Sequence, residues 1–138
     1  MARSRVLFLC THNSARSQMA EGLLRSMADD RFEAGSAGTE KTSVHPLAIR
    51  AMGELGIDIT AHTSKRYEDV AAKGWDFVIT VCDDANERCP IIPGSVKRLH
   101  WSFEDPSRVV GDEAYRLAVF RRVRDQIRDR LTAWLKSP

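Results

Sequence analysis

Cys10, Arg16, Cys82, Cys89 and Asp105 are the residues of this 138-residue chain whose types and spacing could do chemistry. The first two bracket the run Cys10-Thr11-His12-Asn13-Ser14-Ala15-Arg16-Ser17. A tetrahedral oxyanion suits such a run. Successive backbone N–H groups in a tight loop form a concave nest, and a helix N-terminus adds its dipole. Arg16 can offer two parallel N–H donors to oxyanion oxygens. The same positive field favours the thiolate of Cys10, which makes it a nucleophile, and the Ser17 hydroxyl can donate to that sulfur. Asn13 and Ser14 are short and polar and can brace unusual loop dihedrals. A cysteine followed six residues later by an arginine is a weak signal in an arginine-rich chain. It gains weight only if a strand precedes the loop and a helix follows it; otherwise Cys10 is a core thiol at a strand end.

Cys82 and Cys89 complete the cysteine count at three. An odd number does not suit a static disulfide framework, and the absence of a Cys-x2-Cys pair disfavours a structural zinc site. In a reducing compartment, any disulfide among them is transient and catalytic. Asp105-Pro106, taken alone, marks a turn.

The elements that must position these groups follow from periodicity. Arg5 to Cys10 reads as a buried strand, as do Phe32 to Ser36, Trp75 to Val81 and Val96 to Trp101. Ser17 to Met27 reads as a helix with Met19, Ala20, Leu23, Leu24 and Met27 on one face. Pro46 to Leu55 is a second helix, begun by Pro46 and stopped by Gly56. A third runs from about Asp112 to Trp134, with Leu117, Phe120, Val123, Ile127, Leu131 and Trp134 toward the core. Strands alternating with helices predict an α/β fold in a single domain, residues 1–138, with a central four-stranded parallel sheet covered by helices on both faces. Ligands of such sheets sit at the carboxyl ends of the strands. Cys10, Cys82 and the segment after Trp101 all fall there.

Composition excludes little and demands nothing exotic. Net charge is +2, with 43% hydrophobic and 29% charged residues. Neither a nucleic-acid nor a membrane partner is called for, and the arginines between Arg116 and Arg130 read as a solvated helix face. No apolar run reaches the roughly 18 residues of a membrane span, and Val6 to Cys10 is too short for a signal-peptide core. A cytoplasmic monomer is expected.

The run Val-Leu-Phe-Leu-Cys10-Thr-His-Asn-Ser-Ala-Arg16-Ser-Gln-Met-Ala-Glu-Gly resembles the low-molecular-weight protein tyrosine phosphatase superfamily, and within it the thioredoxin-coupled arsenate reductases. The resemblance continues through Ser36-Ala-Gly, Val-Cys82-Asp, Cys89-Pro and His100-Trp-Ser-Phe-Glu-Asp105-Pro106. It implies that Cys10 attacks arsenate, that Arg16 holds the anion and that Asp105 protonates the departing oxygen. It further implies a Cys10–Cys82 disulfide, then a Cys82–Cys89 disulfide reduced by thioredoxin. No cofactor is implied, and phosphate is a competing anion. Cysteines seven positions apart on a helix lie about 10 Å apart, whereas a disulfide needs Cα atoms within about 7 Å. The segment from Cys82 to Pro93 is therefore expected to refold; Asp83, Asp84, Asn86, Pro90, Pro93 and Gly94 make a poor helix.

The match departs from the family in places. Some thioredoxin-coupled relatives hold a structural potassium ion with Asn, Glu, Ser and Asp side chains. Asn13, Glu21 and Ser36 fit, but Lys65 stands in the acidic slot. Its ammonium could take the cation's place, or it could be an exposed turn lysine; either way no metal requirement is expected. Ala15 stands where many relatives carry a further cysteine, and His12 where glycine is common. No chemistry is assigned to His62 or His100. The rival readings are a phosphatase acting on phosphotyrosine or another phosphoester, a thiol-based oxyanion sensor, and a reductase served by a low-molecular-weight thiol. Ser107-Arg108 after Asp105-Pro106, in place of tyrosines, disfavours the first; Cys82 and Cys89 disfavour the last.

Overall fold

The computed structural model describes residues 3–83 and 96–138. Cys89, and the greater part of the segment expected to refold, lie outside the described residues. The chain runs β1 (Ser4–Cys10), α1 (Arg16–Ala28), β2 (Phe32–Gly38), α2 (Pro46–Gly53), α3 (Tyr67–Val70), β3 (Phe77–Thr80), β4 (Lys97–His100) and α4 (Glu113–Leu135), with short 3-10 turns at Ala71–Lys73 and Pro106–Arg108. The four strands form one sheet in the order β2-β1-β3-β4, and every pairing is parallel. The expected α/β fold with a four-stranded parallel sheet is the fold observed.

β1 lies between two neighbours with both faces covered, which is why it reads Val-Leu-Phe-Leu without alternation. Its side chains still alternate. Val6, Phe8 and Cys10 join a large core with Met19, Leu23, Met52, Phe120 and Ile127. Leu7 and Leu9 join a smaller one with Ala37, Trp75 and Val78. The large core lies beneath α1, α2 and α4. Among the described residues the smaller is flanked by Tyr67 and Val70 of α3 and by Val96.

α4 begins at Asp112, whose Oδ1 accepts the N–H of Tyr115 at 2.8 Å as an N-cap. Leu117, Phe120, Val123, Ile127 and Leu131 are buried, as their spacing requires; each such side chain contributes about 1.5–3 kcal/mol through burial. α2 ends at Gly53, two residues before the expected end, and Gly56 adopts φ 75° in the turn that follows. There Ile57 N–H donates back to Met52 O at 3.1 Å.

β3 is shorter than the apolar run predicts. Trp75 is not part of it: the indole N–H donates to Val70 O at 3.0 Å, and the ring lies under Gly35, where an added Cβ would come within 2.6 Å of it. Asp76 instead turns its carboxylate to the N–H of Arg5 at 2.7 Å, and pairing starts at Phe77. α3 and the two 3-10 turns carry too few residues to leave a periodic signal. No helix among the described residues is long and apolar enough to cross a membrane.

Candidate active site

The loop between β1 and α1 closes around the sulfur of Cys10, which is 2% exposed. Asn13 sits at φ 49°, the one non-glycine residue with positive φ among the described residues. An asparagine tolerates that conformation better than most side chains. The turn aims its backbone N–H at Cys10 Sγ, 3.2 Å away. Its side chain is equally occupied: Nδ2 donates to Ser17 Oγ at 2.8 Å, and Oδ1 accepts Lys65 N–H at 2.8 Å. Because Ser17 Oγ accepts from Asn13, its own hydrogen is available to Cys10 Sγ at 2.8 Å. Two donors thus converge on the sulfur, an arrangement that suits a thiolate.

Arg16 opens α1 with its side chain 2% exposed. Nη1 donates to Val81 O at 3.4 Å and Phe103 O at 3.3 Å, and Nη2 faces Asp105 Oδ2 at 3.5 Å. The guanidinium therefore ties the carboxyl edge of β3 to the segment carrying the aspartate. Asp105 is 7% exposed. It caps the turn Pro106–Arg108, with Oδ1 accepting Ser107 N–H at 3.0 Å and Ser107 Oγ–H at 2.7 Å.

Cys82 is fully buried. Leu9 pairs with Thr80, and Val81 N–H still donates to Leu9 O at 2.9 Å. Cys82 thus follows the residue across from Cys10 by one step, at the same sheet edge. The structure brings Cys10, Arg16, Cys82 and Asp105 to that edge.

Thr11 O and His12 O hold the loop to its surroundings. The first accepts Glu40 N–H at 3.0 Å and the Thr39 hydroxyl at 3.2 Å; the second accepts the hydroxyls of Thr42 at 2.8 Å and Ser64 at 3.2 Å. Ser14 O accepts His45 N–H at 2.9 Å. The His12 ring is exposed and pairs with exposed Glu40 at 3.3 Å. His100 Nδ1 meets Thr80 Oγ1 at 2.6 Å across the β3–β4 pairing.

Several residues matter here through what they face across the fold. Gly38 ends β2 against the loop: an added Cβ would stand 2.6 Å from Thr11 O and 2.9 Å from both Asn13 N and Cys10 O. Gln18 Nε2 donates to Asn13 O at 3.1 Å and Thr63 O at 3.0 Å, so its carbonyl faces His62 Nδ1 at 3.1 Å. His62 Nε2 receives Arg25 Nη1 at 3.0 Å. Since the guanidinium can only donate, Nε2 accepts and Nδ1 carries the proton. Burial, the largest cause, holds the pKa of His62 below the usual imidazole value; the charges of Arg25 and Lys65 add to this, while Glu21 and Asp58 oppose it.

Asn13, Glu21 and Ser36, the side chains compared with the potassium site, are all hydrogen-bonded within the protein. Asn13 Oδ1 already binds Lys65 N–H, and Ser36 Oγ–H donates to Glu21 Oε1 at 2.6 Å. Arg25 Nη2 lies on Glu21 Oε2 at 2.8 Å and supplies the local positive charge. Lys65 is half-buried, and its ammonium donates to Thr63 O at 2.6 Å, within the electrostatic reach of Glu21. Desolvation is the main cause lowering its pKa, with Glu21 opposing.

The chain resembles known proteins along nearly its whole length. An arsenate reductase of Oceanobacillus iheyensis is 44% identical over 137 residues, covering 99% of each chain. A solved arsenate reductase in the phosphate binding state superposes with a TM-score of 0.79 at 34% identity, covering 96% of this chain and 97% of that one. A thioredoxin-dependent arsenate reductase of Corynebacterium glutamicum gives a TM-score of 0.70 at 29% identity; the match covers 99% of this chain and 64% of that one. Residues 5–137 match the profile described as low molecular weight phosphotyrosine protein phosphatase, and the chain belongs to that family.

Proposed function

We propose that this chain reduces arsenate to arsenite with electrons from thioredoxin. The observation that carries the reading is a second buried thiol, Cys82, at the same sheet edge as Cys10 and its two sulfur-directed donors. A phosphoester phosphatase needs Cys10, Arg16 and Asp105 but has no use for a further thiol there.

Cys10 thiolate attacks arsenic while the backbone N–H groups of residues 11–17 and Arg16 hold the anion's oxygens. Asp105 gives its proton to the departing oxygen, which leaves as water. Cys82 thiolate then attacks Cys10 Sγ. The electron pair of the S–As bond passes to arsenic, reducing As(V) to As(III), and arsenite departs from a Cys10–Cys82 disulfide. Cys89 attacks Cys82 and releases Cys10 as thiolate. The resulting Cys82–Cys89 disulfide exchanges with the thioredoxin dithiol, which is oxidised in its place. The relay belongs in a reducing compartment, so we assign it to the cytoplasm, with no metal or cofactor.

Phosphate has the shape and charge of arsenate, so the same loop, arginine and acid support a weak phosphatase activity. The two reactions separate at Cys82 and Cys89. With thioredoxin, thioredoxin reductase and NADPH, arsenate should trigger NADPH oxidation by the unaltered chain. Cys82→Ser and Cys89→Ser should each lose that turnover and keep p-nitrophenyl phosphate cleavage, whereas Cys10→Ser should lose both. Thioredoxin-coupled turnover that survives either of the first two substitutions would end the relay; no arsenate-dependent NADPH oxidation by the unaltered chain would leave the phosphatase reading.

A further inference from the structure

The two oxygens of the buried Asp105 carboxylate have different surroundings. Oδ1 accepts both the backbone N–H of Ser107 at 3.0 Å and its hydroxyl at 2.7 Å. Oδ2 looks the other way, 3.5 Å from Arg16 Nη2, on the side where the loop would hold an anion. We propose that Ser107 is a positioning residue that presents Oδ2 of Asp105 as the proton-bearing oxygen of the acid step. The proposal rests on the reading of Asp105 as the general acid.

The local chain explains why this position can act. Pro106 has no N–H and a fixed φ, so it starts the 3-10 turn and leaves Ser107 N–H as the first donor available to the capping carboxylate. A terminal carboxyl torsion is broad and nearly two-fold, so one backbone donor restrains it weakly. The half-buried Ser107 hydroxyl adds a second donor to the same oxygen. A proton on Oδ1 would face the Ser107 N–H at 3.0 Å, which cannot rotate away, whereas Oδ2 has only the longer 3.5 Å approach of Arg16 Nη2 and lies on the side of the anion. Removing the hydroxyl frees the carboxyl to turn and lowers the fraction of encounters in which the protonated oxygen points at the leaving group.

Proton donation matters most when the departing oxygen is strongly basic. The test is therefore kcat/KM for phenyl phosphate, a poor leaving group, against p-nitrophenyl phosphate, a good one. The unaltered chain, Ser107→Ala, Ser107→Thr and Asp105→Asn would be compared, with thermal melts to check folding. Ser107→Ala should lose about five-fold on phenyl phosphate, the worth of one hydrogen bond, and much less on the nitrophenyl ester. Ser107→Thr keeps the hydroxyl and should restore the ratio. Asp105→Asn should show the same bias, more strongly. An equal loss on both esters by Ser107→Ala, or no loss, while Asp105→Asn shows the bias, would overturn the role of Ser107 alone. No bias in Asp105→Asn, or no ester cleavage by the unaltered chain, would overturn the acid reading and the proposal with it.

Discussion

Asn13 and Gly38 fix the shape of the anion loop from opposite sides. Asn13 takes the left-handed turn that points an N–H at Cys10, and its amide supports both Ser17 and the Lys65 backbone. Gly38 lets β2 approach the loop backbone so closely that no side chain fits. Gly38→Ala must therefore push backbone, which gives less readily than a flexible side chain. The expected cost is about 1–3 kcal/mol of stability, as for other overpacked sites, with a larger loss in arsenate turnover because Cys10 O and Asn13 N are the atoms displaced. A thermal melt and a coupled turnover assay on the same preparation would check it; unaltered turnover would show that the loop tolerates the shift. Cys10, Arg16 and Asp105 were legible in the sequence because the loop and the Asp-Pro pair are contiguous motifs. The contacts of Gly38, Ser107, Gln18 and His62 were not, although the first three stand in or beside the runs read there. Their contribution comes from what they face across the fold, and a glycine or serine at one position carries no linear trace of that.

At the scale of elements, periodicity carried the reading where runs were long and failed where a side chain had a private partner. α4 was visible because its apolar stripe repeats over 23 residues. The apolar run suggests a longer β3 than forms because Trp75 is apolar, yet its indole N–H is pledged to Val70 and its ring to Gly35. The arginines of α4 read as a solvated face, and Arg121 and Arg122 fit that description with exposed partners. Arg124 does not. It is 7% exposed and uses Nη1 to reach Ala51 O at 2.7 Å and Glu54 Oε1 at 2.9 Å, holding the end of α2 against α4. Arg124→Ala leaves that carbonyl without this donor and should cost about 1–3 kcal/mol. Arg121→Ala, at an exposed site, should cost under about 1 kcal/mol. Urea unfolding of the two variants would compare them, and equal midpoints would refute the distinction.

Across the whole molecule, protonation works against the fold as pH falls. Burial keeps the pKa of both His45 and His62 below 6.5, helped at His45 by Arg116 and opposed by Asp105. Between 6.5 and the lower folded values the unfolded chain binds more protons than the native one, so stability drops as pH decreases through that window. Glu54 acts lower down. Hydrogen bonding to Arg121, the largest cause, brings its pKa from 4.5 to about 2. Its contribution is present above 4.5 and fades toward 2, and salt should weaken it because the group is partly exposed. Melting temperature should thus begin to fall below pH 6.5, well before the carboxylates titrate, and His62→Gln should soften that first decline. A melting temperature flat from pH 7 to 5 would contradict it. The parallel sheet explains why the sequence pattern points to one edge: four strands running the same way deliver their carboxyl ends, and whatever follows them, to one side.

The ring of His62 has a spectroscopic consequence. With Arg25 donating to one nitrogen and the Gln18 carbonyl accepting from the other, the imidazole is locked in the neutral form that histidines in water favour less. Its Nδ1 proton is screened from bulk exchange and should give its own resonance, one that vanishes when acid drives the ring to imidazolium and dislodges the guanidinium. Through Gln18 and Asn13 that ring is joined to the loop around Cys10, so the same signal would sense an oxyanion arriving in that loop.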